Sequence, residues 1–579
     1  MAVRDRRPKV LVLGQEDRAF LAVVRSLGRR GIDVHVGWCP ADAVALRSRY
    51  VARVHDLPAY TQGDDAWKVA LVDLFRREAF DLVIPTNDTT IMPLQAHRAE
   101  LEPRARIYLI SDEAYAICFD KGRTHDFAQE HGVPVPRQMR LALPASPGTI
   151  PAESWYPLVL KPLASFTLDD LERKRFVRRV MRPGDLARQL QHFAGAREVL
   201  VQEYFPGTGV GVEVLAHEGE VLLAFQHLRV HERPSGGADS YRVSLPLRAD
   251  MRDAAARMVR ALRYTGVIMF EFRMNLDTGA WLLLEINGRF WASLPLCLHA
   301  GADFPWYLYR LLVHGERDVP QEYRIGVYCR NWQRDVLWAR ENLRATGDDR
   351  VSLGTLAGGL AHALTGRESS DTFVLDDPAP GVEDLRRMAV RVGRRIWRSG
   401  HTAVWSLPPV RRLLAGRARA ALRTARQLLF VCKGNVCRSP FAEGYARAVL
   451  NHGVAVRSAG LAPKPSRGCP ELGIEAARAL GVDLREHRSA TLTEAMVREA
   501  DAIFVFDYDG VRRLGDRYPF ARPKVFPVGL LMTDGPVEIR DPFGGIADDF
   551  SRTYGAIRRA IDTVATPETA RGDLSARAV

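Results

Sequence analysis

The chain opens on short apolar runs separated by stretches of helical period. Val10-Leu-Val-Leu13 stops at Gly14, and Ile32-Asp-Val-His-Val36, Asp81-Leu-Val-Ile-Pro85 and Ile107-Tyr-Leu-Ile110 are similar runs. Residues 19–30 between the first two repeat apolar positions at the spacing of one helix face. Strands alternating with helices predict a small parallel sheet in the N-terminal third. A dinucleotide turn after the first strand needs Gly-x-Gly-x-x-Gly, and here only Gly14 stands there, which disfavours an NAD site.

The middle of the chain changes period. Val267-Ile-Met-Phe-Glu-Phe-Arg273 and Trp281-Leu-Leu-Leu-Glu-Ile-Asn287 read as strands joined by the turn-rich Asn275-Leu-Asp-Thr-Gly279. Folding that hairpin brings Glu271 near Glu285, and Asn287 shares a strand face with Glu285. Two carboxylates and an amide oxygen suit Mg²⁺, which takes hard oxygen ligands. Arg289 follows, where it can hold an anionic substrate or a transferring phosphoryl group. Upstream, Lys161 ends the strand-like Tyr156-Pro-Leu-Val-Leu160, and Lys121 precedes a helix that ends at Gly132-Val-Pro-Val-Pro136. Val201-Gln-Glu-Tyr-Phe-Pro-Gly207 is a strand leaving into a turn, with Gln202, Glu203 and Phe205 placed as a hinge for adenine.

Near the C-terminus, Leu428-Leu-Phe-Val431 reads as a buried strand and residues 440–450 as a helix with Pro440 in its first turn. Between them lies Cys432-Lys-Gly-Asn-Val-Cys-Arg-Ser439. A cysteine and an arginine six positions apart, set between strand and helix, make an anion cradle. Loop N–H groups and the helix N-terminus face its centre, and the Arg438 guanidinium can grip two phosphate oxygens. The same field makes Cys432 a nucleophile. A buried structural cysteine beside a surface arginine is the plainer alternative.

Length and charge sharpen this picture. At 579 residues the chain exceeds one core and predicts several domains. Its net charge of +13 is concentrated: residues 381–426 hold twelve arginines and two acidic residues, a balance of +10. Leu385, Met388, Val392 and Ile396 recur there at helical spacing with arginines between. That pattern predicts a solvated connecting helix, with an anionic membrane surface or an acidic partner as the alternative; nucleic acid is disfavoured because no nucleic-acid motif accompanies the charge. The start of the chain lacks the apolar core of a signal peptide, no run of about 18 apolar residues predicts a membrane span, and the seven cysteines form no disulfide framework. The expected compartment is the cytoplasm.

Two resemblances follow from these motifs. Residues 1–325 resemble an ATP-grasp protein of the carboxylate–amine ligase type with its Rossmann-like preATP-grasp domain. The matching pieces are Asp120-Lys121 with Gly-Val-Pro-Val-Pro, Leu158-Val-Leu-Lys161-Pro, Gln202-Glu-Tyr-Phe-Pro-Gly, Gly266-Val-Ile-Met-Phe-Glu271-Phe and Leu284-Glu-Ile-Asn-Gly-Arg289. The resemblance implies Mg²⁺ (with Mn²⁺ as the alternative ion) at Glu271, Glu285 and Asn287, ATP phosphates at Lys121 and Lys161, and an acyl phosphate that an amine displaces. The family's glycine-rich lid is replaced by Leu163-Ala-Ser-Phe-Thr-Leu-Asp-Asp-Leu-Glu-Arg-Lys-Arg175, and Glu213 is the candidate for the ribose. A non-catalytic nucleotide sensor or scaffold is the competing expectation.

Residues 427–565 resemble the low-molecular-weight protein-tyrosine phosphatases. Beyond the cradle they carry Arg457-Ser-Ala-Gly-Leu461, Asp483-Leu-Arg-Glu-His-Arg-Ser-Ala-Thr-Leu-Thr493, Ala500-Asp-Ala-Ile-Phe-Val-Phe-Asp507 and Asp541-Pro-Phe-Gly544. The resemblance implies a cysteinyl-phosphate on Cys432, phosphate oxygens held by Arg438 and the loop around Gly434, and Asp541 as the acid. It further implies loop support from Asn435, Ser439, Ser458 and His487, and an aromatic contact from Phe543 to a phosphotyrosine ring. Cys437 is expected either to pair reversibly with Cys432 or to be a small buried residue. Arsenate reduction is the alternative; it needs two further cysteines, and after Cys437 only Cys469 remains.

The expected architecture is a multidomain α/β fusion. A Rossmann-like preATP-grasp domain spans 1–115, an ATP-grasp α+β domain 116–325, a helical extension 326–397, a basic linker 398–426, an α/β phosphatase domain with a four-stranded parallel sheet 427–565, and a tail 566–579. The expected partners are a phosphotyrosine protein or small aryl phosphate, and ATP with a carboxylate and an amine.

Overall fold

The computed structural model describes residues 7–15, 18–145, 152, 155–172, 174–193, 195–232, 240–344, 362, 368–450, 453–464, 466–532 and 534–564. The chain divides into two compact units, Met1–Ala389 and Val390–Val579.

The described residues of the first unit form three sheets. Val51–His55, Asp33–Gly37, Lys9–Leu13 and Leu82–Pro85 form a parallel sheet in that order. Val10, Leu11, Val12 and Leu13 are all fully buried, because helices cover both faces and every position of the run packs. Fully burying side chains of this size contributes about 1.5–3 kcal/mol each. Residues 107–110 add only an isolated bridge, Val83 to Ile107. A second, antiparallel sheet runs Gln138–Ala142, Glu198–Glu203, Leu158–Lys161, Arg178–Val180. The third has seven strands, beginning Trp281–Asn287, Gly266–Met274, Thr208–His217, Glu220–His231. In the predicted hairpin Glu271 stands directly opposite Glu285, with a register shift immediately after Glu271.

The second unit holds a four-stranded parallel sheet, Ala455–Gly460, Gln427–Cys432, Ala502–Val505, Val525–Pro527. The run 428–431 is apolar throughout because successive side chains enter different cores: Leu428 and Phe430 pack on one face, Leu429 and Val431 on the other. Helix Arg438–Val449 leaves the central strand through the cradle and packs against helix Ala547–Asp562, where Phe441 and Tyr554 stack with ring centroids 4.2 Å apart.

Two expectations about the middle segments are corrected. Residues 326–397 are not helical throughout: Tyr328–Arg330 and Glu368–Ser370 extend the seven-stranded sheet. The proline-ended stretch 371–380 is a tight acidic turn, not an extended segment. Asp371 accepts from Arg242 and Arg18 at 2.6 and 3.2 Å, and Asp377 accepts from Arg25 and Ser48 at 2.9 and 2.7 Å. The basic connector 398–426 is largely helical. Helix Ala379–Ser406 runs through the unit division, and Pro408–Thr424 follows after a break where Pro408 fits the first turn of a new helix. The helix expected near residues 353–360 and the tail 566–579 lie outside the described residues.

Candidate active sites

In the second unit, strand Gln427–Cys432 delivers Cys432 to the carboxyl end of the sheet, where the loop turns back over the sulfur. Asn435 takes a left-handed conformation (φ 51°), which its short polar side chain tolerates, and its N–H donates to Cys432 Sγ at 3.2 Å. The Ser439 hydroxyl lies 3.0 Å from the same sulfur. The Asn435 side-chain amide donates to Ser439 Oγ at 3.0 Å and to Ser458 Oγ at 2.8 Å, and its oxygen accepts from the Ala490 N–H at 2.8 Å. His487 Nε2 donates to the Asn435 carbonyl at 2.8 Å, and Ser458 donates to Glu443 at 2.5 Å. The loop is thus fixed from three neighbouring segments. Gly460 adds a fourth constraint, because a Cβ there would come within 3.1–3.2 Å of Lys433 and Asn435. Gly434 faces more open space, where a Cβ would meet the Val436 side chain at an ordinary 3.6 Å.

Arg438 is buried at the first turn of its helix. It donates to Asp507 at 2.8 Å, to the Ile539 carbonyl at 3.1 Å and to Asp541 at 2.9 Å. Asp507 follows strand Ala502–Val505 and caps the next helix through the Gly510 N–H at 2.8 Å. The segment leading to Asp541 is tied to that strand end by Ile539 N–H donating to Phe506 O at 2.8 Å. Phe543 is 47% exposed, with the Arg467 guanidinium 4.8 Å from its ring centroid. Cys437 is buried and points into the core; burial pushes its thiol pKa well up, and the thiol of Cys469 rises to about 12 for the same reason.

In the first unit a cavity of about 330 Å³ is lined by Asp88, Lys121, Ser165, Glu285, Asn287 and Arg289. Lys121 donates to Ser165 at 2.9 Å and lies 3.8 Å from Glu285. Burial pushes the Lys161 ammonium down to about 8, against the pull of Glu285 and Glu271. Burial alone raises the Glu285 carboxyl, but Lys121, Lys161 and Arg289 outweigh it and hold it below the ordinary carboxylate value. Glu271 is gripped at both oxygens by Arg229, each at 2.8 Å.

The hinge residues are less uniform. Gln202 is buried and turned inward: its amide donates to His125 at 2.8 Å and to Gln138 at 3.0 Å. Glu203 is exposed and Phe205 half-buried. Glu213 is fully buried 2.7 Å from His227, remote in character from a ribose hydroxyl contact.

Sequence reasoning missed two acids. Asp507 holds Arg438, and Asp88 accepts from Arg289 Nε at 2.7 Å. Each sits just past the carboxyl end of a parallel strand at the start of a helix, the position where such sheets gather ligand groups, and that placement is the signal that could have found them.

Known proteins agree with this division. The family described as low molecular weight phosphotyrosine protein phosphatase matches residues 427–571, and one described as ATP-grasp in the biosynthetic pathway with Ter operon matches residues 195–334. A probable low molecular weight protein-tyrosine-phosphatase, EpsP, from Ralstonia nicotianae is 32% identical over 137 residues, covering 24% of this chain and 92% of the relative. A protein-arginine-phosphatase from Bacillus subtilis is 29% identical over 141 residues, covering 24% of this chain and 93% of its own. A solved biotin carboxylase from Campylobacter jejuni aligns at a TM-score of 0.45 and 18% identity over 56% of this chain and 74% of that one. Through its C-terminal unit the chain belongs to the low-molecular-weight protein-tyrosine phosphatase family, in fusion with an ATP-grasp domain.

Proposed function

We propose that the C-terminal unit hydrolyses aryl phosphomonoesters of the phosphotyrosine type through a cysteinyl-phosphate. The observation that carries this is Arg438, poised beside Cys432 and held by Asp507 and Asp541 at 2.8 and 2.9 Å. The Cys432 sulfur attacks phosphorus, the ester P–O bond breaks, and Asp541 gives its proton to the departing phenolate. Water then attacks the phosphorus, Asp541 takes its proton, and Cys432 leaves as the thiolate. Arg438 swings from the two carboxylates to the equatorial phosphate oxygens, and Asn435, Ser439, Ser458 and His487 keep the loop open around them. Lys433, exposed next to the nucleophile, and Arg467 make the mouth cationic, which favours a neutral aromatic ring over the cationic guanidinium of phosphoarginine. Comparing turnover of a phosphotyrosine peptide with that of phosphoarginine tests the choice; faster phosphoarginine hydrolysis refutes it.

For the N-terminal unit we propose a Mg-ATP-dependent carboxylate–amine ligase, with residues 1–115 and 116–325 as its preATP-grasp and ATP-grasp parts. The donor set fits the ion: Glu285 and Asn287 line the cavity, and Glu271, opposite Glu285 in the hairpin, offers its oxygens once Arg229 releases them. Bound Mg-ATP supplies the phosphoryl group that activates a carboxylate. Lys121 and Lys161 hold nucleotide phosphates, and Arg289 holds the anionic end of the substrate. ADP release over a panel of carboxylates and amines tests this reading; nucleotide binding with no turnover on any pair defeats it and leaves a sensor.

A further inference from the structure

Between Val390 and Arg426 the sequence has ten arginines and no acidic residue. The second unit begins with the C-terminal part of helix Ala379–Ser406, and every residue from Val390 to Gly400 is exposed. At 100° per residue the side chains sort into three stripes. Arg391, Arg394, Arg395 and Arg398 share one arc. Val392, Ile396 and Val404, with Gly393, Gly400 and Ala403 between them, fill the opposite arc. Trp397, His401 and Trp405 form the stripe between, and all three pack on Tyr508, with ring centroids 5.6, 5.0 and 5.6 Å away.

The stripe on Tyr508 anchors the connector to the start of helix Tyr508–Arg517, and what it leaves outside is unusual for a solvated connector. Ile396 is 68% exposed, Val404 49% and Leu407 51%. Helix Pro408–Thr424 buries Ala415, Ala418 and Leu422 on the phosphatase core while Leu413 stays 66% exposed beside Arg412 and Arg417. A water-facing helix normally spaces opposite charges four apart. Here Arg391 with Arg395 and Arg394 with Arg398 are like-charged pairs at that spacing, which disfavours the helix in water, and Glu538, 3.6 Å from Arg398, offsets one of the four charges. An anionic surface removes that repulsion, and an apolar interior takes up the isoleucine, valines and leucines.

We propose that residues 390–417 dock the protein on an anionic lipid surface. The helix lies in the interfacial plane, with Val392, Ile396, Val404, Leu407 and Leu413 entering the acyl boundary and the arginine stems reaching phosphate headgroups. No described helix is long and apolar enough to span a bilayer, so the attachment is peripheral. Nucleic acid fits less well, because phosphate recognition by arginine gains nothing from the exposed aliphatic stripe.

The test uses the full chain and sedimentation with vesicles of phosphatidylcholine, alone or mixed with phosphatidylglycerol. Binding is expected on the phosphatidylglycerol vesicles, weak on phosphatidylcholine alone, and falling with added salt. Ile396→Ser with Val404→Ser, and separately Arg391→Gln with Arg394→Gln and Arg395→Gln, are each expected to weaken binding roughly tenfold or more. Both variants keep wild-type p-nitrophenyl phosphate hydrolysis, which separates lost docking from lost folding. The proposal is overturned by no phosphatidylglycerol binding, by variants that bind as wild type, or by a wild-type dimer that the serine pair turns into a monomer, which places a second copy on this face. Binding to duplex DNA as tight as to vesicles, and indifferent to the serine pair, also overturns it.

Discussion

Arg438 and Asp541 are joined by a 2.9 Å ion pair across the mouth of the cysteine loop. The proposed phosphate-binding cation and the proposed proton donor therefore hold each other while the phosphate position is open, and an arriving phosphate must separate them. A phosphate dianion is the better partner for the guanidinium, so its entry frees the Asp541 carboxylate, which takes a proton from water and then faces the leaving oxygen.

Asp541→Ala is then expected to slow aryl phosphates with poor leaving groups by about 10²–10⁴, the usual yield of a positioned proton donor, and those with good leaving groups far less. A series of substituted phenyl phosphates reads this as a steeper dependence of kcat on leaving-group acidity. A uniform loss across the series argues against the role.

Asp507 is expected to position Arg438. Asp507→Asn keeps the cap to Gly510 and removes the charge, so the guanidinium loses one of its two carboxylates. KM for phenyl phosphates should rise, while the leaving-group dependence stays that of wild type. A change confined to thermal stability would reduce Asp507 to a helix cap.

Asn435→Ala removes bonds to Ser439, Ser458 and Ala490 and places alanine in a left-handed conformation. A loss of about 1–3 kcal/mol in unfolding free energy is expected, with activity falling further than stability explains. Denaturant titration and steady-state kinetics on the same sample separate the two.

Both cradles are legible in the sequence because their chemistry is local. Cysteine, arginine, strand and helix all lie between Gln427 and Val449, and the hairpin that pairs Glu271 with Glu285 is set by one short turn. Asp507 and Asp88 are not legible, since each meets its arginine across about 70 and 200 residues of sequence, and only the sheet topology brings them together. Gln202 shows the converse limit: its place in the sequence points to a nucleotide contact, but His125 and Gln138, distant in sequence, claim its amide. The connector is helical, as its apolar spacing predicts, and its first helix runs on to Ser406 because no proline interrupts its interior before Pro408. Its exposed apolar arc becomes visible only once the contact of Trp397, His401 and Trp405 with Tyr508 fixes which face is covered.

His125 gives a pH prediction for the N-terminal unit. Burial pushes its pKa down to about 4, so the folded protein resists a proton that the unfolded chain accepts below about 6.5. Stability contributed by the neutral ring is full above that value and is lost as pH falls toward 4, at up to about 1.4 kcal/mol per pH unit. Unfolding free energies of His125→Gln against wild type between pH 4 and 7 check it; parallel curves contradict it.

Glu285→Ala is expected to abolish Mg²⁺-dependent nucleotide binding in calorimetry while leaving p-nitrophenyl phosphate hydrolysis intact, since that site lies in the other unit. Unchanged Mg-ATP affinity removes Glu285 from the ion's ligands.

Whether Cys432 is the nucleophile of a phosphatase is decided by acid-quenching the full-length protein during turnover of p-nitrophenyl phosphate and mapping the phosphoryl group by mass spectrometry. One phosphoryl group is expected on the sulfur of Cys432, and neither label nor turnover in Cys432→Ser. A Cys432→Ser protein that still hydrolyses the substrate at the wild-type rate contradicts it.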